Sequence, residues 1–424
     1  MRVVSFPFIL FAISASAIST STARADYQLH DGDKVAFLGD SITAARGYTK
    51  IVEHYTLMRF PTRRVEFVNS GQGGDTSNGS LRRLERDVFS KKPTVVIVAF
   101  GINDIGWGTK ADDEHRKLYL DGIRSIIEQC KARKIRPIIC SAAITAEKSS
   151  QAENGYLQKM GDEGLALAKS LGAGTIDLQR GMREIQRRGE DTNSNEKDPA
   201  KQTHLHAPDG IHPNELGQAA MAYCILKGLD APAEVSSATL DAAKLTELKS
   251  TGCRITEAKS LPDGIAFTRL DEGLPLNLGP LSSWNLRWIP LADGINGYRI
   301  SIKNLPEGEY TIRSGGRDLG KTTAAKLSEG LNIASTTADG WQPGGPWDAQ
   351  SNVVKSLVDA RDQLWMAGKQ QADLLPGRPG DQLLLDAIQK TDQELVALQR
   401  ASARPYPYPF EIRRVAADNP QPSQ

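Results

Sequence analysis

Between residues 33 and 229, short apolar runs alternate strictly with longer segments of helical spacing, and no other feature constrains the fold as tightly. Residues 34–38, 64–68, 94–100, 136–141 and 174–177 read as strands. Residues 44–60, 76–89, 112–132, 151–171, 178–188 and 215–226 carry apolar side chains at roughly 3.6-residue intervals and read as helices. Strand and helix in strict alternation predict a parallel sheet covered by helices on both faces. In such sheets ligands bind outside the carboxyl ends of the strands, so chemistry is expected just after Leu38, Val68, Phe100 and the later strands.

Beyond residue 230 the pattern changes. Residues 240–248 look helical, so 231–252 is expected to be a helical connector. Residues 253–335 read as a small β-rich domain: Ile265-Ala266-Phe267, Tyr298 to Ile302, and Tyr310-Thr311-Ile312 alternate with period two. Leu305-Pro306-Glu307-Gly308 reads as a hairpin connection between the last two. Residues 336–424 are expected to form a helical extension. Val353, Leu357 and Leu364 mark one apolar face, with Val354, Val358 and Trp365 beside it; Leu384, Ile388, Leu395 and Leu398 mark a second. Pro405-Tyr406-Pro407-Tyr408-Pro409 reads as extended polyproline-like chain.

The first 25 residues have the form of a secretory leader. A short basic start, Met1-Arg2, precedes a largely apolar stretch from Val3 to Ile13, and Ala23-Arg24-Ala25 is a small-x-small cleavage signature before Asp26. The apolar stretch is too short to span a bilayer, and no later segment approaches the ~20 apolar residues that spanning needs. An exported protein, periplasmic or extracellular, is expected, with residues 26–230 as its first folded domain. Lys plus Arg number 52 against 51 Asp plus Glu, a formal charge of +1 that becomes −1 without Arg2 and Arg24. That balance offers nothing to nucleic acid or to an anionic membrane surface. Cys130, Cys140, Cys224 and Cys253 include no CxxC pair and no zinc spacing. Export permits disulfides among them, and buried small hydrophobes are the equal alternative.

Three short blocks fall at strand exits and a fourth in the final loop. The first strand runs into Gly39-Asp40-Ser41-Ile42-Thr43, which places a serine at a helix start, where backbone N–H groups favour an oxyanion. The second is followed by Asn69-Ser70-Gly71-Gln72-Gly73-Gly74-Asp75-Thr76, whose glycines let backbone approach a ligand closely. The third is followed by Gly101-Ile102-Asn103-Asp104, and Asp209-Gly210-Ile211-His212-Pro213 precedes the last helix. An Asp and a His three apart across a turn can fix the imidazole tautomer and leave its other nitrogen to take a proton from a serine. Each block alone also fits a plain reading: a helix cap, a glycine turn, an Asx turn, an ordinary loop.

Together and in this order, the four blocks resemble those of the SGNH (GDSL-type) hydrolases. The resemblance covers about residues 33–229. It implies a three-layer α/β/α sandwich with a five-stranded parallel sheet, flavodoxin-like, to which the β-rich and helical remainder is an extension. It implies Ser41 as nucleophile, with His212 and Asp209 completing a triad, and an oxyanion hole from the Ser41 backbone, the Gly74 backbone and the Asn103 amide. Gly71 is a second candidate for the glycine role. It also implies ester hydrolysis through an acyl-enzyme, with no cofactor and no metal.

Asp40 and Trp107, beside these blocks, are candidate substrate contacts. His204 and His206 read as a solvated loop in preference to an H-x-H metal pair. Export favours an extracytoplasmic ester, of an acetylated polysaccharide or a lipid. With no long apolar stripe to form a lipid-binding lid, an acetylated carbohydrate is the expected substrate; a lipolytic or general carboxylesterase, and an acyltransferase using the same triad, are the alternatives. Trp284, Trp288, Trp341, Trp347 and Trp365 in the second half read mainly as packing residues, with a polymer-binding module as the other reading. Oligomeric state is not expressed in the sequence.

Overall fold

Val35-Ala36-Phe37-Leu38 has no polar alternation because both faces of its strand are covered, as in the interior of a parallel sheet. This is shown by a computed structural model, which describes residues 26–198, 201–279, 287–374, 377 and 380–416. The expected leader at 1–25, Trp284 and the last eight residues lie outside that set.

Strands β1 (Lys34–Gly39), β2 (Glu66–Gly71), β3 (Val95–Ala99), β4 (Arg136–Cys140) and β5 (Gly174–Ile176) form one all-parallel sheet in the order β2-β1-β3-β4-β5. On one face Phe37, Val95 and Ile97 pack with residues of α2 (Gly47–Arg59), α6 (Leu178–Asn193) and α7 (Glu215–Gly228). On the other, Leu38, Val96 and Val98 pack with α3 (Asp113–Ala132) and α5 (Tyr156–Ser170). The result is the three-layer α/β/α sandwich, and the chain reverses direction across the sheet at β1, where a crevice forms.

Several expected helices are interrupted. The segment at 44–60 begins earlier, as a single turn α1 (Ser41–Ala44), and breaks at Arg46, whose φ of 62° no helix tolerates. The segment at 151–171 splits into α4 (Ser149–Ala152) and α5. Residues 76–89 form no α-helix but three short turns of other pitch, because Thr76 Oγ and Ser80 Oγ bond the local backbone and compete with regular helix.

The second half differs more. The helical connector expected at 231–252 is a hairpin, β6 (Glu234–Asp241) and β7 (Thr246–Thr251). Asp241 accepts the Ala243 and Lys244 N–H groups to make the turn, and Val235, Ala238 and Leu240 bury their side chains in the sheet core. Sheet partners there override local helix preference. β8 (Cys253–Leu261), β9 (Gly264–Asp271), one-turn α8 (Leu291–Gly294), β10 (Gly297–Lys303), β11 (Glu309–Ser314), β12 (Arg317–Thr323), α9 (Ala324–Glu329) and β13 (Leu331–Asn332) follow. Two helices, α10 (Pro346–Leu374) and α11 (Asp381–Ser402), then lead to β14 (Tyr408–Arg414).

These strands build two sheets, β13-β10-β6-β7 and β12-β11-β14-β9-β8. β10 and β11 therefore lie in different sheets, and Leu305-Pro306-Glu307-Gly308 is a crossover rather than a hairpin. The reason is that both edges of β10 are already taken, by β6 and β13. The proline-rich tail also departs from expectation: Tyr408 and Pro409 open β14, which sits between β9 and β11. Pro409 is at the start of the strand, where its missing N–H costs least.

The boundary expected near 335 disappears with this topology. Trp347 of α10 and Phe410 of β14 share one core with Phe267, Tyr298 and Ile312, so the β-rich part and the helical extension are one unit. Leu57 and Met58 of α2 belong to the same core. On α10 the buried face carries Val354 and Val358, while Val353 points to solvent. Trp288 and Trp347 are buried, Trp341 is exposed, and the Trp365 ring lies under the Arg46 guanidinium at 4.5 Å. All four cysteines are unbridged, and burial pushes the Cys130, Cys140 and Cys224 thiols up to about 12.

Candidate active site

Gly39 ends β1 where a Cβ would collide with Thr43 Oγ and the Ala99 carbonyl, so only glycine lets α1 turn back over the sheet. Asp40 caps that turn, its carboxylate accepting the Ile42 N–H at 2.9 Å. This places Ser41 on the first residue of α1, at the mouth of the crevice. Asp40 itself is buried, and burial, reinforced by nearby Asp104, raises its carboxyl to about 6. It is a cap and not a substrate contact, contrary to the expectation from sequence.

His212 arrives from the far end of the domain. In the loop before α7, Asp209 Oδ1 accepts the N–H groups of Ile211 and His212, each at 2.9 Å, which folds the turn back on itself. Oδ2 of the same carboxylate meets His212 Nδ1 at 2.6 Å, and His212 Nε2 lies 2.8 Å from Ser41 Oγ. With Nδ1–H donated to Asp209, Nε2 is left to accept the serine hydroxyl. The two backbone N–H groups, followed by the imidazole, hold the Asp209 carboxyl down at about 2, so it is charged at any working pH.

Asn103 is reached through the loop after β2. Its Nδ2 donates to the Asp75 carbonyl at 3.1 Å, and its Oδ1 accepts the Trp107 indole N–H at 2.8 Å. Gly74, next to Asp75, has a φ of 70° on an exposed loop. Gly71 is different: it ends β2 beneath α1, where a Cβ would strike the Ala44 nitrogen, so it is a packing glycine. Trp107 is half exposed, and its ring stands edge-on to His212 with centroids 5.9 Å apart.

Sequence reasoning missed the scaffold under these loops. Arg83 donates to Asp75, to the Ser70 carbonyl and to the Gly39 carbonyl, tying the exits of β1 and β2 together. Asp104 accepts the Ser77 N–H and hydroxyl, fixing the loop after β3 to the loop after β2. Nothing in the spacing around Gly73-Gly74-Asp75-Thr76 points to Arg83 as the partner of its acid. His206 is buried and donates to the Ile144 carbonyl at 2.9 Å, so it belongs to the packed interior and not to the solvated loop expected from sequence. Among the described residues, no three of His, Cys, Asp and Glu are grouped so as to hold a metal ion.

A cleft of about 940 Å³ opens between the first domain and the extension; it borders the triad only through chain neighbours, and Ser41, Asp209 and His212 do not line it. Ala45, one turn beyond Ser41, and Pro213, next to His212, line one side of it; Leu278, Trp288, Lys355 and Val358 line the other. The two halves are joined across α2 and α10 by Arg361 with Glu53 at 3.0 Å, Lys50 with Asp359 at 2.9 Å, and Arg46 with Asp362.

Residues 37–220 match the model of the GDSL-like Lipase/Acylhydrolase family. That stretch, somewhat under half of the chain, is similar to the family, in agreement with the parallel sheet order β2-β1-β3-β4-β5. A segment of 93 residues is 30% identical to an acetylxylan esterase of Geobacillus stearothermophilus, covering 18% of this chain and 42% of that protein. A segment of 114 residues is 28% identical to the uncharacterized lipoprotein YqeF of Bacillus subtilis (strain 168), covering 25% of this chain and 46% of that one. The chain therefore spans less than half the length of these curated relatives. Among solved structures, a gut microbial diltiazem-metabolizing enzyme superimposes with a TM-score of 0.77 at 21% identity, over 92% of this chain and all of the other. That likeness extends the shared fold to the second half.

Proposed function

We propose that this protein is an exported serine ester hydrolase that removes acyl groups from a carbohydrate. The observation that carries the reading is the unbroken series Asp209–His212–Ser41, with contacts of 2.6 and 2.8 Å. In the proposed reaction His212 takes the Ser41 proton as Oγ attacks the ester carbonyl, and Asp209 steadies the imidazolium that forms. The Ser41 and Gly74 backbone N–H groups and the Asn103 amide stabilise the tetrahedral oxyanion. His212 then returns its proton to the departing alcohol, and a water activated by the same ring clears the acyl-enzyme.

The carbohydrate part rests on the partial match to an acetylxylan esterase and on the cleft, whose lining includes Gln202 and His204 as polar partners for hydroxyl groups. Export rests on the pattern of residues 1–25 and on the likeness to a lipoprotein. Acetate release from acetylated xylan and other acetylated glycans, measured beside p-nitrophenyl esters of short and long acids, tests the proposal. Glycan deacetylation that is abolished in Ser41→Ala supports it. Preference for long-chain esters overturns the carbohydrate assignment, and full activity in Ser41→Ala overturns the mechanism.

A further inference from the structure

Trp107 is an odd residue to leave half in water. Its backbone sits at φ 58°, between Gly106 at φ 54° and Gly108 at φ 93°, so three successive residues adopt the left-handed conformation. That conformation is unfavourable for a tryptophan and persists only where surrounding bonds enforce it. Here they do. The Trp107 N–H donates to the Ile102 carbonyl at 3.0 Å, the Gly106 N–H to the Asn103 carbonyl at 3.0 Å, and the Gly108 N–H to the Ile105 carbonyl at 2.9 Å. The turn is thereby wrapped around Asn103, and it delivers the indole N–H to Asn103 Oδ1.

A side-chain amide has two nearly isosteric orientations related by a half-turn, and only one presents N–H to an oxyanion. At Asn103 the choice is dictated from both ends. Trp107 offers a donor, the Asp75 carbonyl offers an acceptor, and a flipped amide would set donor against donor and acceptor against acceptor. Nδ2 spends one hydrogen on Asp75 and keeps the second for another acceptor. We infer that Trp107 is a positioning residue, whose indole N–H locks the Asn103 amide in its donating orientation. This rests on the oxyanion role proposed above for Asn103. It differs from a stacking wall for substrate, because the function lies in the N–H and not in the ring face.

The test is a double-mutant cycle with p-nitrophenyl acetate on the full chain. Trp107→Phe keeps an aromatic ring beside His212 and removes only the donor. It should lower kcat about five- to tenfold, the worth of one hydrogen bond that orients a group, with little change in KM. In an Asn103→Ala background the same substitution should cost nothing further. Because the side chain is half exposed, the melting temperature should not move. Nitrogen-15 labelling of asparagine gives a readout independent of turnover. The Asn103 Nδ2 protons should be resolved and slow to interchange in the wild type, and should average in Trp107→Phe. A raised KM at unchanged kcat, an equal loss in both backgrounds, or unaltered amide exchange overturns the inference. A wild-type protein inert toward every ester overturns the functional reading instead, and the amide exchange then still decides whether Trp107 holds Asn103.

Discussion

The Arg83 guanidinium meets the Asp75 carboxylate at 2.6 Å, with side chains only 3% and 1% exposed. Because Arg83 also holds the carbonyls of Gly39 and Ser70, a single cation organises the loops that carry Ser41 and Gly74. Arg83→Met removes one member of a buried pair and leaves the other charged and dry, which costs about 3–5 kcal/mol. Urea unfolding should show that loss, and Arg83→Met combined with Asp75→Leu should recover part of it. Unchanged stability in the single variant would show the pair to be inert.

Asn103→Ala removes one side-chain donor from the proposed oxyanion hole. Turnover should fall about 10²–10³-fold while the melting temperature stays close to that of the wild type. Steady-state kinetics on a folded variant checks this, and unimpaired kcat would sink the assignment.

Asp209→Asn should lower kcat by about 10⁴-fold, since an amide cannot hold the imidazole in the tautomer that frees Nε2. The carboxyl titrates at about 2, so the wild type keeps this charge throughout the neutral and mildly acid range. Infrared difference spectra of wild type against Asp209→Asn should therefore show a carboxylate and no protonated carboxyl band between about pH 5 and 8. A protonated carboxyl band appearing toward pH 5 would mean that Asp209 gains a proton there.

Asp348, on the first turn of α10, is buried with Oδ1 unpartnered, and burial pushes its carboxyl up to about 7 from the ordinary 3.8. A carboxyl raised by folding stabilises the fold in its protonated form. That contribution is complete below about pH 4 and is lost as pH rises through about 7, up to about 4 kcal/mol in all. Asp348→Asn retains an acceptor for the Gly344 N–H and has no charge to bury. Calorimetry should show a smaller fall in melting temperature between pH 4 and pH 7.5 for the variant. Parallel curves would exclude Asp348 as the source.

Cutting the chain after Leu229 leaves Leu57 and Met58 of α2 without the core that covers them and frees the Met58 carbonyl from the Leu274 N–H. The truncated protein should aggregate, or be cleaved rapidly by protease, under conditions where the full chain resists. A soluble, protease-resistant 26–229 fragment would show that the halves fold separately.

The parallel sheet was legible because its strands are apolar on both faces and its helices amphipathic, two periods that do not mimic each other. Ser41, Asn103, Asp209 and His212 were legible as strand-exit and loop residues of recognisable order. Asp40 was misread because it is adjacent to Ser41 in sequence, yet in a one-turn helix adjacency sends it inward as a cap. Residues 240–248 were misread because Asp241-Ala242-Ala243-Lys244 favours helix locally, whereas Leu240 is paired with Ile302 of β10 and with Glu247, and Asp241 with Thr246 across the hairpin. Arg83 and the bond between Trp107 and Asn103 left no periodic trace. The Arg83 contacts exist only once loops distant in the chain have been brought together, and the Trp107 bond only once the left-handed turn has wrapped around Asn103.

β14 has a consequence for the life of the molecule. Its ladders to β9 and β11 join segments up to roughly 150 residues apart, so the second sheet stays open until almost the whole chain is available. A single proteolytic cut between α11 and β14 would draw out the middle strand, leave both flanking edges bare and expose Phe267 and Ile312 to water. Integrity of the second half, and of the cleft wall that it supplies, is thus gated by the arrival and retention of seven late residues, Tyr408–Arg414.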